Sequence, residues 1–208
     1  MHTRSLYKAL LFAGLASIAS TAAIAQTDVA ASIYGAFSGT TSGNGTAQSP
    51  SNAAGGIVEV RHIRNPLIGY EGTYSFNRAN QTYTFTGYAC PVIIPNCTPA
   101  ATPVSANAHE ITADWVASLK FSNLRPFALA GGGVLFNQPS GSQSNTTSDT
   151  KAVFVYGAGL DWGLLPHIGL RLQYRGNLYK APDLTTLYTS TGAFTHTAEP
   201  MIGVYFRL

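Results

Sequence analysis

The sequence predicts an all-β fold, an eight-stranded antiparallel up-and-down transmembrane β-barrel, on three observations. Apolar residues alternate with polar or small residues in eight segments, and this is the period of a β-strand. The links between the segments alternate between short and long, as in outer-membrane barrels. Charged residues make up only 10% of the chain, against roughly a quarter in an average soluble domain, which suits a protein solvated partly by lipid.

The predicted strands lie at about 29–40, 53–63, 66–76, 107–121, 124–137, 151–163, 167–179 and 195–208. Short turns are expected at 63–66, 122–123 and 163–166, and longer polar links at about 41–52, 77–106, 138–150 and 180–194. Because short turns are periplasmic and long loops extracellular in such barrels, both ends of the barrel domain should lie on the periplasmic side.

The alternation also separates two faces, with Leu172 and Tyr174 on one face of their strand and Arg171 and Arg175 on the other. A soluble β-sandwich or lipocalin would turn the apolar face inward, and the period alone fits that arrangement almost as well. Aromatic residues near the strand ends favour the membrane barrel, where they form interfacial girdles. The aromatic residues concerned are Tyr34, Phe37, Tyr74, Phe76, Trp115, Phe121, Phe127, Phe136, Phe154 and Trp162.

The first 25 residues have the features of a secretory signal peptide. Arg4 and Lys8 precede an apolar run, which is shorter than the ~20 residues of a spanning helix and closes with small residues ending at Ala25. Cleavage after Ala25 is therefore predicted, leaving residues 26–208 as the barrel domain. The remaining chain has nearly balanced charge and no Lys/Arg cluster, so no nucleic-acid partner is expected.

Ten charged residues are predicted on the inner face of the barrel. They are Glu59, Arg61, Glu71, Glu110, Asp114, Lys120, Asp161, Arg171, Arg175 and Arg207. An eight-stranded barrel is only wide enough to be filled by side chains or to hold a small ligand, so the prediction is an ion-pair network that plugs the lumen. The alternative is a narrow ion path whose pairs exchange partners on opening.

Catalysis is not predicted for this chain. The turn at Arg64-Asn65 should place Glu59 roughly opposite Glu71. Arg61 lies two residues from Glu59 on the same face, however, and an arginine from a neighbouring strand could satisfy both carboxylates. The four histidines beyond residue 25 are scattered without metal-binding spacing, and His196 has no serine in the close arrangement that outer-membrane deacylases use. We therefore expect no catalytic, cofactor-binding or metal site.

Cys90 and Cys97 are the only cysteines and fall within the longest predicted extracellular link. An even pair of cysteines in an exported protein favours a disulfide. Two thiolates without a nearby histidine cannot complete a tetrahedral metal site. The sequence thus predicts a small disulfide-closed loop.

The C-terminal residues Gly203, Phe206 and Leu208 resemble the assembly signal of outer-membrane barrels, although Leu208 stands where phenylalanine is more usual. With this end, residues 27–208 resemble the small outer-membrane β-barrel family, which includes the OmpA-like transmembrane barrel, OmpX-like proteins and opacity-type porin-like proteins. The stretches that carry the resemblance are 124–133, 156–162 and 168–175.

The resemblance implies insertion into the lipid of a bacterial outer membrane, with the barrel-assembly machinery as a partner during biogenesis. It implies a non-enzymatic integral membrane protein with a role in envelope structure or surface exposure. Two alternatives stay open, a narrow small-solute or ion pore and an adhesin or receptor acting through the extracellular loops. A fold alone does not choose among these roles.

Overall fold

The computed structural model describes residues 26–65, 67–86, 101–141 and 144–208. The predicted signal peptide and the predicted disulfide partners Cys90 and Cys97 lie outside these ranges. In the described part of the chain, no helix is long and apolar enough to cross a membrane.

Eight long strands form a closed antiparallel barrel, which confirms the predicted fold class. They are β1 (Gln26–Ser38), β4 (Ala53–Ile63), β5 (Ile68–Phe85), β6 (Ala101–Ser118), β7 (Leu124–Pro139), β8 (Asp149–Gly163), β9 (Ile168–Lys180) and β10 (Phe194–Arg207). Each pairs with its neighbours in chain order, and β1 pairs with β10 to close the ring, with Val29 opposite Phe206. Closure removes every free sheet edge from the lipid-facing wall.

The two faces of the wall have opposite chemistry. Leu172 points outward and is 51% exposed, whereas its neighbour Arg171 is fully buried inside. Exposed apolar side chains outside and buried charges inside identify a wall surrounded by lipid, so the inverted, soluble arrangement is wrong. The prediction that Tyr34 and Phe127 belong to the aromatic girdles is wrong, because both face the lumen and are only 4% and 5% exposed.

The hairpin of β5 and β6 is longer than predicted. The region 77–106 was expected to be a loop, but β5 continues to Phe85 and β6 begins at Ala101. Polar residues pair on the outer face of this extension, with Arg78 opposite Asn107 and Asn80 opposite Ser105. In this extension the outer face is polar, while the backbone pairing of β5 and β6 continues. A search for alternating hydrophobicity therefore misses it.

A second hairpin, of β2 (Thr41–Gly43) and β3 (Thr46–Pro50), lies where the sequence analysis expected a loop. Asn44 and Gly45 both have positive φ angles, 50° and 78°, as a two-residue type I′ turn requires. The Asn-Gly pair is a known hairpin signal and could have revealed this element. β3 pairs with the outer part of β5, which brings Gln48 opposite Tyr83.

Candidate functional site: the buried charges of the barrel lumen

A tight turn sets the register of the first charged pair. The side-chain oxygen of Asn65 accepts hydrogen bonds from the backbone N–H groups of Leu67 and Ile68, at 3.0 and 2.8 Å. The resulting register places Arg61, and not Glu59, directly opposite Glu71. The expected pairing of two carboxylates is therefore wrong, and an arginine and a carboxylate face each other instead.

The centre of the lumen is crossed by a layer of ion pairs, which we call the middle layer: Glu59, Arg61, Glu71, Asp161 and Arg171. Arg61 lies 2.6 Å from Glu71 and 3.2 Å from Asp161, which belongs to the far wall. Arg171 binds Asp161 through two hydrogen bonds and lies 3.3 Å from Glu59. The side chains of the layer are at most 2% exposed. Charges so desolvated are tolerable only when paired.

Phe127 supports this layer from the side of the short turns. Its ring lies under the guanidinium of Arg61, 3.9 Å from the ring centroid, and within 5.4 Å of Arg171. A desolvated cation over an aromatic face gains an electrostatic attraction in addition to its ion pair. Phe127 also packs with Leu129 and Val116 in a buried apolar cluster, so it links the charges to the apolar filling of the lumen.

An upper layer, nearer the long hairpins, is built around Arg175. Its Nη1 atom lies 3.2 Å from Asp114 and 3.7 Å from Glu71, which connects it to the middle layer. Its Nη2 atom donates to the hydroxyl of Thr112 at 3.1 Å and lies 3.8 Å from Glu110. Glu110 in turn accepts a hydrogen bond from the amide of Asn177 at 3.0 Å.

Three further charged residues, Asp28, Arg125 and Glu199, are buried in the lumen and were not among the predicted network residues. Asp28 and Arg125 form an ion pair of 3.2 Å near the short turns, and Arg207 lies 3.8 Å from the same aspartate. Glu199 is buried on the inner face of β10. All three residues occupy positions that alternate with outward-facing residues, as the inner face requires. Asp28 lies one residue before the predicted start of the first strand, so a strand predicted from residue 28 would have included it.

Lys120 is the one predicted network residue that the structure places elsewhere. Strand β6 ends at Ser118, and Lys120 is exposed in the following turn. The strand period stops applying where the strand ends, so its predicted inward direction does not hold.

A small polar cavity of about 30 Å³ lies above the upper layer. Glu110, Asn137, Asn177 and Glu199 contribute to its wall. This volume accommodates roughly two water-sized particles.

The mouth of the barrel on the side of the long hairpins is covered by a cap, in which residues 181–184 after β9, the capping segment, meet β3 and β5. The hydroxyl of Tyr83 donates to the carbonyl of Pro182 at 2.7 Å and accepts from the backbone N–H of Leu184 at 3.1 Å. Gln48 donates to the same carbonyl of Pro182 at 3.1 Å. Leu184 is fully buried and belongs to the same buried cluster as Tyr83.

The histidines do not contribute to the lumen. His196 faces outward, where its Nε2 atom lies 2.9 Å from the hydroxyl of Tyr156, whereas Thr195 and Glu199 face inward. His109 likewise lies 2.8 Å from the hydroxyl of Tyr74 on the outer face. Within the described ranges, no three His, Cys, Asp or Glu side chains are grouped so as to hold a metal ion.

These features define the class of the protein: a small transmembrane β-barrel with a lumen filled by ion pairs. The family model for the outer membrane protein beta-barrel domain matches residues 9–198, and the chain belongs to this family. The prediction of a small outer-membrane barrel is thereby confirmed. No curated protein sequence matches the chain significantly.

Solved structures with the same fold share little sequence with the chain. OprG from Pseudomonas aeruginosa aligns with a TM-score of 0.58 at 7% identity, over 89% of this chain and 97% of that one. Neisserial surface protein A aligns with a TM-score of 0.57 at 14% identity, over 88% and 98%. Ail, the attachment invasion locus protein of Yersinia pestis, in complex with the heparin analogue sucrose octasulfate, aligns with a TM-score of 0.51 at 17% identity, over 88% and 99%. At these identities the likeness establishes the fold alone.

Proposed function

We propose that the protein is a non-enzymatic component of the outer membrane whose closed barrel contributes to envelope structure, presents loops at the cell surface and does not conduct solutes. The observation that carries this proposal is the middle layer. Arg61 joins β4 to Asp161 on β8, and Arg171 joins β9 to Glu59 on β4, so the pairs bridge opposite walls. A water path would have to break these buried pairs, and each broken pair leaves a charge without its partner.

The mouth cap supports the same proposal. Tyr83, Gln48 and Pro182 are joined by hydrogen bonds above the lumen, and Leu184 is buried against them. On the outer side, Lys151 lies 3.1 Å from Asp183 and 3.0 Å from Asp149, which ties the capping segment to β8. Two successive barriers therefore separate the extracellular side from the periplasm.

A non-enzymatic role is supported by the separation of potential catalytic groups. His196 and Glu199 lie on opposite faces of β10, so they cannot act together on one substrate. Each buried carboxylate of the middle layer is paired with an arginine, which holds it in an ion pair within the filled lumen. An enzyme needs a base and a reacting group in hydrogen-bonding distance within an accessible site.

Planar-bilayer recording of the refolded protein tests closure. We expect no steady conductance from the wild type, and increased conductance from Arg171→Ala, which removes one of the two arginines of the middle layer. Lys120→Ala, at an exposed position, is the matched control and should behave like the wild type. A steady wild-type current that responds to Arg171→Ala and not to Lys120→Ala would establish the alternative, a narrow pore.

The extended β5–β6 hairpin favours a role at the cell surface, and with it the second candidate function, an adhesin or receptor. β5 has 18 residues, against 11 in β4, so it continues well beyond the end of its partner. An epitope inserted between residues 86 and 101 should be accessible to antibody on intact cells, whereas the same epitope at Arg64-Asn65 should be accessible only after permeabilisation. The opposite pattern would invert the proposed topology. Loss of cell attachment on shortening this hairpin, with the barrel intact, would establish the adhesin.

A further inference from the structure

The cavity between the upper layer and the mouth cap has an unusual wall. Residues of β1, β5, β6, β7, β9 and β10 contribute to it, and most of them are polar or small. Of the wall residues, Glu199, Glu110 and Asn177 are 3%, 4% and 1% exposed. The carboxyl groups of Glu110 and Glu199 are thus largely removed from bulk water.

The charges around this cavity do not balance. The middle and upper layers with Glu199 contain three arginines, at positions 61, 171 and 175, against six carboxyl groups, at positions 59, 71, 110, 114, 161 and 199. Glu199 has no basic side chain within 4.0 Å in the described part of the chain, and Glu110 reaches Arg175 only at 3.8 Å. Two of the six carboxyl groups, those of Glu110 and Glu199, line the cavity, and in the described part of the chain neither has an arginine within hydrogen-bonding distance.

Unpartnered oxygen atoms face the same space. Oε1 of Glu110, Oε2 of Glu199 and Oδ1 of Asn177 are buried and have no hydrogen-bond partner among the described residues. A water molecule could donate hydrogen bonds to these acceptors, but it would not neutralise the two carboxylates. Desolvated carboxylates without compensating charge are unstable by several kcal/mol per ion.

We propose that this cavity binds a small hard cation, Ca²⁺ or Na⁺, through the carboxylates of Glu110 and Glu199 and the amide oxygen of Asn177. Carboxylate and amide oxygens are the ligands that such cations prefer, and flexible oxygen sites suit Ca²⁺ better than Mg²⁺. The volume of about 30 Å³ is sufficient for one such ion with a water molecule. The bound cation joins β6, β9 and β10 above the arginine layers and stabilises the folded barrel.

The test compares urea unfolding of the refolded protein in zwitterionic lipid vesicles containing CaCl₂, NaCl or tetramethylammonium chloride at equal ionic strength. A ligand that binds only the folded state raises the unfolding midpoint. We expect the wild-type midpoint to be higher with Ca²⁺ or Na⁺ than with tetramethylammonium, which is too large for the cavity. The salt that raises the midpoint identifies the ion.

Two variants make the test specific. Glu199→Gln should lose the response to Ca²⁺ and Na⁺, and in tetramethylammonium chloride it should be at least as stable as the wild type because the uncompensated charge is gone. Asp183→Asn, which removes a carboxylate outside the cavity wall, should keep the full response. Equal wild-type midpoints in the three salts would overturn the proposal, as would an undiminished response in Glu199→Gln.

Infrared spectroscopy provides a second measurement that does not depend on stability. A cation-bound Glu199 is ionised and gives no protonated-carboxyl band. In the stabilising salt, the spectra of the wild type and of Glu199→Gln should therefore not differ in the region of protonated carboxyl groups. A protonated-carboxyl band that the wild type shows at neutral pH and Glu199→Gln lacks would mean that a proton, and not a metal cation, neutralises Glu199.

Discussion

Arg171 and Asp161 lie directly opposite each other on β9 and β8, and the guanidinium donates two hydrogen bonds to the carboxylate, at 2.7 and 3.0 Å. This two-point geometry is the strongest form of an arginine–carboxylate contact. Arg171 also lies 3.3 Å from Glu59 and 3.5 Å from Glu71, so one cation serves three carboxylates across the lumen.

Replacing Arg171 with methionine should therefore destabilise the barrel strongly. The change keeps an unbranched side chain but leaves buried carboxylates without their partner, which costs about 3–5 kcal/mol. Urea unfolding in lipid vesicles measures the loss. Lys120→Gln is the control, since this exposed change should stay within about 0.5 kcal/mol of the wild type. A comparable loss in both variants would mean that the middle layer does not stabilise the fold.

Leu172 tests the outward-facing wall. It is half-exposed between Leu160 and Ile202 of the adjacent strands, so we expect Leu172→Ala to cost little, because lipid fills the vacated volume. Leu172→Arg should cost about 2–4 kcal/mol if the residue lies at the bilayer midplane. Leu129→Ala is the inward comparison, and its cavity should cost about 2–5 kcal/mol. Equal unfolding free energies for the two alanine variants would contradict the assignment of faces.

Phe127 tests the contact between an aromatic ring and a buried cation. Phe127→Leu keeps most of the apolar volume but removes the ring that lies 3.9 Å from Arg61, so a loss of about 1–2 kcal/mol is expected. In a double-mutant cycle with Arg61→Met, the two losses should not add, because residues in contact are energetically coupled. Full additivity in the unfolding free energies would show that the ring acts only through apolar packing.

Substitution of Gly203 distinguishes its structural role in the folded barrel from its predicted role in the assembly signal. A Cβ atom at this position would lie 2.6 Å from the Cα atom of Ser32 and would also clash with the carbonyl of Ala31. Gly203→Ala should therefore destabilise purified, refolded protein by about 1–3 kcal/mol, the usual cost of overpacking. Gly72→Ala, where nothing lies within 4 Å, is the matched control. Normal stability in vitro combined with defective assembly in cells would assign Gly203 to the signal alone.

The predicted disulfide between Cys90 and Cys97 concerns residues outside the described ranges and remains a prediction. Peptide mass analysis of the exported protein under non-reducing conditions should detect a linked peptide, because an oxidising compartment and a short intervening segment both favour closure. The reduced sample is the control and should release two free thiols. Two alkylated cysteines in the unreduced protein would contradict the prediction.

Several features of the fold and site were predictable because they depend on local chemistry. Alternation along 167–179 correctly assigned Leu172 to the outside and Arg171 to the inside, since adjacent residues of a strand point in opposite directions. The same rule failed for Lys120, which lies beyond the end of β6. It also missed the outer parts of β5 and β6, where backbone pairing continues without apolar alternation.

The sequence by itself determined the number of barrel strands, the direction of most side chains and the low charge that suits a lipid environment. Only the tertiary structure decided which charges meet, because closing and staggering eight strands brings together residues far apart in the chain. Arg61 meets Asp161 across the lumen at a separation of 100 residues, and Arg175 meets Asp114 at 61. A period of two specifies which face a side chain lies on, whereas its partner depends on the register and closure of the whole barrel.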